Sequence, residues 1–398
     1  MKKQSNNSKR ASALQITVSV GLICISLILL ASISGAGSAD SRSQGVVMSQ
    51  EGNASEVLSD FTNARPMPIP RATAPMNMAP SPPNFGTPGF APGAVGNGET
   101  HPVTLPLPKV RDRDSDMEID GNMELPGPDE FGTGNQPFST ARADFISVAT
   151  NTYWPYRASG KLTFQDSNGN SYWCSASLIK RGVVVTAAHC VAAYGSQRYY
   201  SNFKFTPGYR SGVAPYGVWT AAYPLVTNPW WNGTDGCSGV VCPDDVAVLV
   251  LRTDSSGKYA GTYTGWYAYG WNGYGFVNGL TTHITQIGYP GCLDNGELME
   301  RNDSQGFVSS SSTSNTIIGT LMRQGSSGGP WLNNFGVRPT LTDGTIAGSA
   351  AAPNTVVGVT SWLYNDDAVK SEGASPFTSS NIASLITTVC GFTPAACE

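Results

Sequence analysis

Short apolar or alternating runs recur about every ten residues from residue 143 to the C-terminus, and Gly, Asn, Asp and Ser separate them. The runs include GKLTF, RGVVVTA, DVAVLVL, THITQIGYP and VVGVTSW. Such runs are typical of strands joined by turns, and their regular spacing predicts an all-β sandwich or barrel. A region of about 250 residues is large enough for two packed barrels.

A helical pattern stands near the end of the chain, in SSNIASLITTVCG. The apolar residues at i, i+3, i+4 and i+7, which share one face, are Ile382, Leu385, Ile386 and Val389. Ser379 or Ser380 is expected to cap the start of this helix, and Gly391 its end. We expect the helix to pack on the last barrel and to take no part in chemistry.

The N-terminus has the features of an export signal. Residues 1–39 begin with Lys and Arg, continue with an apolar run and end in small residues, an order typical of a secretory signal peptide. An uncleaved signal anchor is the alternative, because the apolar run approaches the length that spans a bilayer. We therefore expect a secreted protein, outside the cell or in the cell envelope, with membrane contact only if the signal remains as an anchor.

Residues 40–142 have a different composition from the β-rich domain, which we assign to residues 143–398. Twelve of the 27 prolines lie between Pro66 and Pro108, and apolar periodicity is absent. Such a segment cannot bury a core of its own and is predicted to be largely disordered. Its role is either that of a propeptide or that of a linker.

Export to an oxidising compartment predicts that the cysteines pair. Cys24 lies in the signal peptide, and the seven others are Cys174, Cys190, Cys237, Cys242, Cys292, Cys390 and Cys397. Cys174 and Cys190 flank two apolar strands' worth of chain and could be joined, and the pairs Cys237–Cys242 and Cys390–Cys397 are close enough in sequence to close small loops. Sequence alone does not fix this connectivity. Cys292 is then unpaired.

The charge pattern argues against several classes of function. The formal net charge is −4, and no basic stripe or phosphate-binding glycine loop is present, so we expect no nucleic-acid partner. No zinc-ligand spacing occurs, and the acidic loops do not have the spacing of a calcium site. We therefore predict no cofactor and no metal.

Three short motifs together point to acyl-transfer chemistry. They are TAAHC after an apolar strand, CPDDVAVLVL, and QGSSGGPW, and they supply His, Asp and Ser in that order. A serine hydroxyl needs an imidazole to take its proton, and the imidazole needs a carboxylate to orient it. Glycines beside the serine permit the tight turn in which backbone N–H groups stabilise an oxyanion.

These motifs resemble those of the chymotrypsin-fold serine endopeptidases over residues 143–398. YWPYRASGKLTF, and ITQIGYPG followed by GTLMRQGSSGGPWL, are similar to the bacterial glutamyl endopeptidase branch. The resemblance implies two Greek-key six-stranded β-barrels of the chymotrypsin type, with the helix at the C-terminus. It also implies a monomeric, trypsin-like serine protease, made as a zymogen, that hydrolyses protein or peptide substrates through an acyl-enzyme intermediate.

The resemblance assigns roles to particular residues. His189 is the general base, and Asp245 is its orienting partner, with the adjacent Asp244 as the rival. Ser327 is the nucleophile, because the family pattern is Gly-x-Ser-Gly-Gly-Pro. The oxyanion donors are the backbone N–H groups of Gly325 and Ser327.

The serine before the nucleophile departs from the family pattern. In trypsin-like enzymes an Asp at this position pairs with the N-terminal ammonium that zymogen cleavage creates. Here the residue is Ser326, which carries no charge. We therefore predict that activation does not use this ion pair and that neutral hydrogen bonds hold the turn.

The resemblance also implies a set of substrate-binding residues, which are Leu321, Met322, Thr360, Ser361, Trp362 and Leu363. No Asp stands where a pocket selective for Lys or Arg keeps one, so that preference is not expected. The glutamyl branch reads an acidic side chain with a His at the position of Thr360, so glutamate specificity is not transferred. Our hypothesis is an uncharged residue before the cleaved bond.

Two other classes of function remain open from sequence. One is a catalytically silent trypsin-fold protein that binds proteins or surfaces. The other is an esterase that uses the same triad. The complete His, Asp and Ser set argues against the first, and only a comparison of peptide with ester turnover separates the second.

Overall fold

The computed structural model describes residues 62–72, 86–107, 137–145, 147–236, 242–276, 281–308, 316–336 and 351–398. The predicted signal peptide and Cys237 lie outside these residues. The strands, in chain order, are β1 Arg65–Pro66, β2 Arg71–Ala72, β3 Gly89–Ala91, β4 Val103–Thr104, β5 Phe138–Arg142, β6 Ser159–Gln165, β7 Ser171–Lys180, β8 Val183–Thr186, β9 Ser201–Pro207, β10 Val213–Ala214, β11 Trp219–Val226, β12 Ala247–Leu251, β13 Ala268–Trp271, β14 Thr281–Gly288, β15 Glu300–Val308, β16 Thr316–Gly319, β17 Pro330–Asn333, β18 Thr355–Tyr364 and β19 Ser371–Pro376.

Two closed six-stranded barrels form the body of the domain. The first ring runs β6-β7-β8-β12-β11-β9 and closes because β6 pairs with both β7 and β9. The second ring runs β14-β15-β16-β19-β18-β17 and closes through the pairing of β14 with β17. Both rings follow the same order of first, second, third, sixth, fifth and fourth strand. The predicted all-β class with two six-stranded barrels is confirmed.

The continuous apolar runs at β8 and β12 have a structural reason. Val184 and Leu249 face the interior of the first barrel, whereas Val183 and Val250 belong to a second apolar cluster outside it. Because both faces of these strands are covered, neither strand alternates between apolar and polar residues. The strands predicted at these positions are confirmed. Their side chains do not alternate between apolar and polar as they do in a half-buried strand.

Three short α-helices are present among the described residues, α1 Asn228–Asn232, α2 Ala260–Thr264 and α3 Ser384–Phe392. A π-turn, Ser379–Ala383, leads into α3, and its cap is Thr378, whose hydroxyl and Asn381 form a capping box. Thus the cap lies one residue before the predicted serines, and α3 extends one residue beyond Gly391. None of the helices described is long and apolar enough to cross a membrane.

The C-terminal helix packs against strand β12 of the first barrel. Its apolar face, including Leu385 and Val389, shares a buried cluster with Val248 and Val250 of β12. The hydroxyl groups of Tyr223 on β11 and Thr393 after α3 lie 2.6 Å apart. An amphipathic pattern predicts that a face is buried, but does not identify the surface that covers it.

Two of the three proposed disulfides are seen directly. Cys174 pairs with Cys190, and Cys390 with Cys397. Cys242 is disulfide-bonded, and its expected partner lies outside the described residues. The thiol of Cys292 is free, as predicted, and burial raises its pKa to about 12.

Parts of the Pro-rich region form short strands that pair with strands of the domain that follows. β1 pairs with β7, β2 with β18, β3 with β13 and β4 with β10. Each partner strand comes from residues 143–398. A segment without a core of its own thus uses the edges of the domain that follows it.

Candidate active site

His189 and Asp245 form a doubly hydrogen-bonded pair. The backbone N–H of His189 donates to Oδ1 of Asp245 at 2.8 Å, and its Nδ1 lies 2.7 Å from Oδ2. Ser361 adds a third contact, because its hydroxyl donates to Oδ2 at 2.6 Å. The carboxylate is 0% exposed, so this pairing fixes its position.

The pairing determines which nitrogen of the imidazole can accept a proton. An ionised carboxylate only accepts hydrogen bonds, so Nδ1 of His189 carries the hydrogen that points at Asp245. Nε2 is then the basic atom. It is buried and has no hydrogen-bond partner among the described residues.

Ser327 lies where the two barrels meet. Its carbonyl oxygen accepts from the N–H of Ser175 on β7 at 2.8 Å. The next residue, Gly328, has φ +76°, and a Cβ added to it would lie 2.7 Å from the backbone nitrogen of Ala187. Because Ala187 is two residues before His189, this close approach places the turn that carries Ser327 against the segment that leads to His189, although the Oγ of Ser327 makes no hydrogen bond to Nε2 of His189 here.

The Cys174–Cys190 disulfide supports the same juxtaposition. Cys174 precedes Ser175, which holds Ser327, and Cys190 follows His189. The bridge joins Cα atoms 6.3 Å apart. It therefore ties the strand that holds the serine to the turn that carries the imidazole.

The turn before Ser327 presents two backbone donors. Gly325 has φ +93°, a conformation that favours glycine, and its carbonyl accepts from the Ser175 hydroxyl at 2.8 Å. Neither the N–H of Gly325 nor that of Ser327 has an acceptor among the described residues. Two free N–H groups in a fixed turn are suited to binding an oxyanion.

Ser326, the first serine of the pair, points away from this site. Its hydroxyl lies 2.7 Å from the carbonyl oxygen of Arg323 and 3.1 Å from Oε1 of Glu372. Glu372 is 0% exposed, and its Oε2 accepts from Gln286 at 2.5 Å. A buried carboxyl group on β19 therefore contacts the turn that carries the nucleophile, and sequence reasoning did not single out this glutamate.

Burial raises the pKa of the Glu372 carboxyl from 4.5 to about 8, against the opposing effects of Gln286, Arg323 and Ser326. Burial likewise raises the pKa of Glu300 to about 8. Between pH 4.5 and about pH 8, each of these two carboxyl groups is deprotonated in the unfolded chain but keeps its proton in the folded chain. The free energy of unfolding should therefore fall as the pH rises through this window.

We expect the melting temperature to decrease from pH 5 to pH 8, and Glu372→Gln to reduce that decrease. Thermal unfolding followed by circular dichroism at several pH values measures both slopes. Glu300 should preserve part of the slope in the variant. Equal slopes in the two proteins would contradict the assignment of this titration to Glu372.

The residues proposed for substrate binding occupy different environments. Ser361 is engaged with Asp245, and the hydroxyl of Thr360 accepts from Gln286 and Trp331. Those with at most 2% exposure are Met322, Thr360, Ser361, Trp362 and Leu363, whereas Leu321 is half-buried. The hydroxyl of Ser361 thus serves the carboxylate, a contact that the VTSW motif alone did not indicate.

One group of potential metal ligands, Cys174, His189 and Cys190, lies close together among the described residues. Both sulfur atoms belong to the disulfide, so neither is a thiolate that could bind a metal ion. The imidazole, for its part, is already bonded to Asp245. These three residues do not fit a metal site.

The sequence family of the domain follows from comparison with known proteins. The family model described as Trypsin matches residues 146–381, more than half of the chain. The chain belongs to the trypsin family. The membership predicted from the three motifs is therefore confirmed, and the paired His189 and Asp245 lie within the matched trypsin-family region.

Individual relatives are distant. The chain is 26% identical over 144 residues to the Extracellular metalloprotease of Bacillus subtilis (strain 168), which covers 36% of this chain and 42% of that protein. Protease Anisep from Arthrobacter nicotinovorans is 24% identical, covers 60% of this chain and 95% of that one, and has a TM-score of 0.45. A Glu endopeptidase in complex with MPD is 19% identical, covers 64% and 96%, and has a TM-score of 0.44.

Proposed function

We propose that this trypsin-family protein is a secreted serine endopeptidase that acts through His189, Asp245 and Ser327. The observation that carries the proposal is the His189–Asp245 pair, which leaves Nε2 as the basic atom of the imidazole. A buried imidazole oriented by an ionised carboxylate is the arrangement that a serine nucleophile requires.

The proposed reaction proceeds in two acyl transfers. Nε2 of His189 takes the hydroxyl proton of Ser327 as Oγ attacks the substrate carbonyl carbon. The N–H groups of Gly325 and Ser327 bind the negative oxygen of the tetrahedral intermediate. The imidazolium then protonates the leaving amine, and water, activated by the same imidazole, hydrolyses the acyl-enzyme ester.

Labelling with an organophosphonate probe tests this assignment. We expect covalent modification at Ser327, identified by peptide mass spectrometry, and its loss in His189→Ala, because the hydroxyl then has no base. The matched control is His283→Ala, which removes an imidazole from β14 and should leave labelling unchanged. Labelling that persists in His189→Ala would contradict the triad, as would modification at another serine.

Export and substrate preference are two further parts of the proposed function. The name of the curated relative includes the word extracellular, and the disulfides suit an oxidising compartment, which favours export with residues 1–39 as signal. The interior of the second barrel near the turn contains the buried carboxyl group of Glu372. An uncharged residue before the cleaved bond therefore remains our hypothesis, and a peptide-library digest dominated by Glu, Lys or Arg would overturn it.

A further inference from the structure

The reactive atoms of the proposed triad are closed off from solvent. Ser327 is 0% exposed and His189 6%. Oγ of the serine and Nε2 of the histidine are both buried without a hydrogen-bond partner among the described residues. A peptidase must admit an extended substrate to these atoms, so the groove between the barrels is covered in this structure.

Residues 62–72 of the Pro-rich region, which we call the strap, run from one barrel to the other. At one end Pro66 lies beside Trp173 of β7, and Met67 donates its N–H to the carbonyl of Trp173 at 2.9 Å. At the other end the carbonyl of Pro70 accepts the N–H of Leu363 on β18 at 3.0 Å. Both pairings are parallel.

The two attachment points flank the triad. Trp173 is two residues from Ser175, whose N–H binds the carbonyl of Ser327. Leu363 is two residues from Ser361, whose hydroxyl binds the triad carboxylate. A chain that connects these two points therefore crosses the groove in front of the nucleophile.

Pro66 contacts the loop next to the oxyanion turn. A Cβ added to Gly291 would lie 2.8 Å from Cγ of Pro66, so glycine permits this contact. The N–H of Gly291 donates to the carbonyl of Gln324 at 2.7 Å, and Gln324 directly precedes Gly325. The strap thus lies against the loop that is hydrogen-bonded to the residue before the proposed oxyanion turn.

The strap is buried at intervals despite its Pro-rich composition. Ala64 is 8% exposed, Ile69 4% and Ala72 3%. Ala64 and Ala72 each join an apolar cluster of the domain, whereas Ile69 lies outside those clusters. Ile69 is therefore buried in the stretch that crosses between the barrels.

The sequence of the strap suits an extended bound state. Pro66, Pro68 and Pro70 alternate with other residues, and each proline fixes its φ and lacks an N–H. Such a chain is already extended before it binds, so it loses little conformational entropy. The missing N–H groups also prevent the strap from pairing with a further strand on its outer edge.

We propose that residues 62–72 bind the substrate groove as an inhibitory strap and keep the intact chain inactive. The proposal rests on the proposed peptidase function, since the strap covers that site. Activity then requires release of the strap from β7 and β18. Activation by release of the strap does not need a new N-terminal ammonium. This agrees with Ser326, which carries no charge that could pair with such an ammonium.

The test compares intact chains. The full-length protein and the variant Ile69→Asp are treated with a small organophosphonate probe, and labelling is read in the full-length gel band, so only uncut chains count. Loss of the apolar contact should release the strap and raise the rate of Ser327 labelling by at least about tenfold. Val95→Asp is the matched control, because Val95 is an exposed residue of the same Pro-rich region and should label like wild type.

A synthetic peptide of residues 62–72 completes the test. It should slow labelling of the Ile69→Asp chain again, whereas the same peptide with Ile69→Asp should not. Ile69→Ala, with a smaller increase expected, replaces the first variant if that one does not fold. Equal labelling of wild type and the folded variant would overturn the strap, and absence of labelling in every folded chain would overturn the peptidase itself.

Discussion

Ser327→Ala should lower kcat for peptide hydrolysis by at least about 10⁴, because it removes the only group that can form the acyl-enzyme. KM should change little, since the hydroxyl contributes to the transition state more than to ground-state binding. Steady-state kinetics on a chain whose strap has been released measures both values. The variant should also fold normally, because Oγ has no hydrogen-bond partner among the described residues.

The neighbouring serine supplies the control for this experiment. Ser326→Ala removes two contacts, to the carbonyl of Arg323 and to Glu372. The backbone N–H of Ser326 still donates to Arg323 at 3.0 Å, so the turn keeps one of its supports. The loss of one such hydrogen bond is worth about 0.5–1.5 kcal/mol, and kcat should fall no more than about tenfold. A Ser326→Ala variant as inactive as Ser327→Ala would reverse the two roles.

Sequence patterns are sufficient where the signal is local. TAAHC and the GSSGGP turn identify His189 and Ser327 because each motif combines a reactive residue with the small neighbours that its backbone requires. Alternation and apolar runs similarly predict strands β6, β8, β12, β14 and β18 within a few residues. In these cases the pattern of residues within the motif or the strand is enough to carry the prediction.

The contacts that the sequence does not reveal join distant segments. Glu372 reaches Ser326 and Gln286 only because β19, β14 and the nucleophile turn meet inside the second barrel. Nothing in the short sequence SEGASP distinguishes a buried carboxyl group from a surface one. The neutral hydrogen bonds predicted for Ser326 are present, but one of them goes to an ionisable partner.

The strap shows a similar limit for the Pro-rich region. Composition correctly indicates that residues 62–72 cannot build a core, but it cannot indicate that edges of β7 and β18 are available to them. Ile69 stands between Pro68 and Pro70, and no periodic pattern around it indicates that it is buried. Sequence gives the extended conformation and leaves the binding surface unknown.

Substitution of the two adjacent aspartates, Asp244 and Asp245, should have very different effects on kcat. Asp245→Asn should lower kcat by about 10⁴, because the amide can donate to Nδ1 of His189 and place the ring hydrogen on Nε2. That tautomer cannot accept the proton of Ser327. Asp244→Asn is the matched control and should retain most of the activity, since His189 donates both of these hydrogen bonds to Asp245.

The two variants are compared by kcat and by probe labelling of Ser327. Both measurements should fall together in Asp245→Asn, because the same basic nitrogen serves acylation of substrate and of probe. With the amide nitrogen at the Oδ2 position, the backbone N–H of His189 still donates to the amide oxygen, and the hydroxyl of Ser361 can turn to accept the second N–H of the amide, so the fold should tolerate the change. A larger loss in Asp244→Asn than in Asp245→Asn would show that the carboxylate on the imidazole during catalysis is not the one bound to it here.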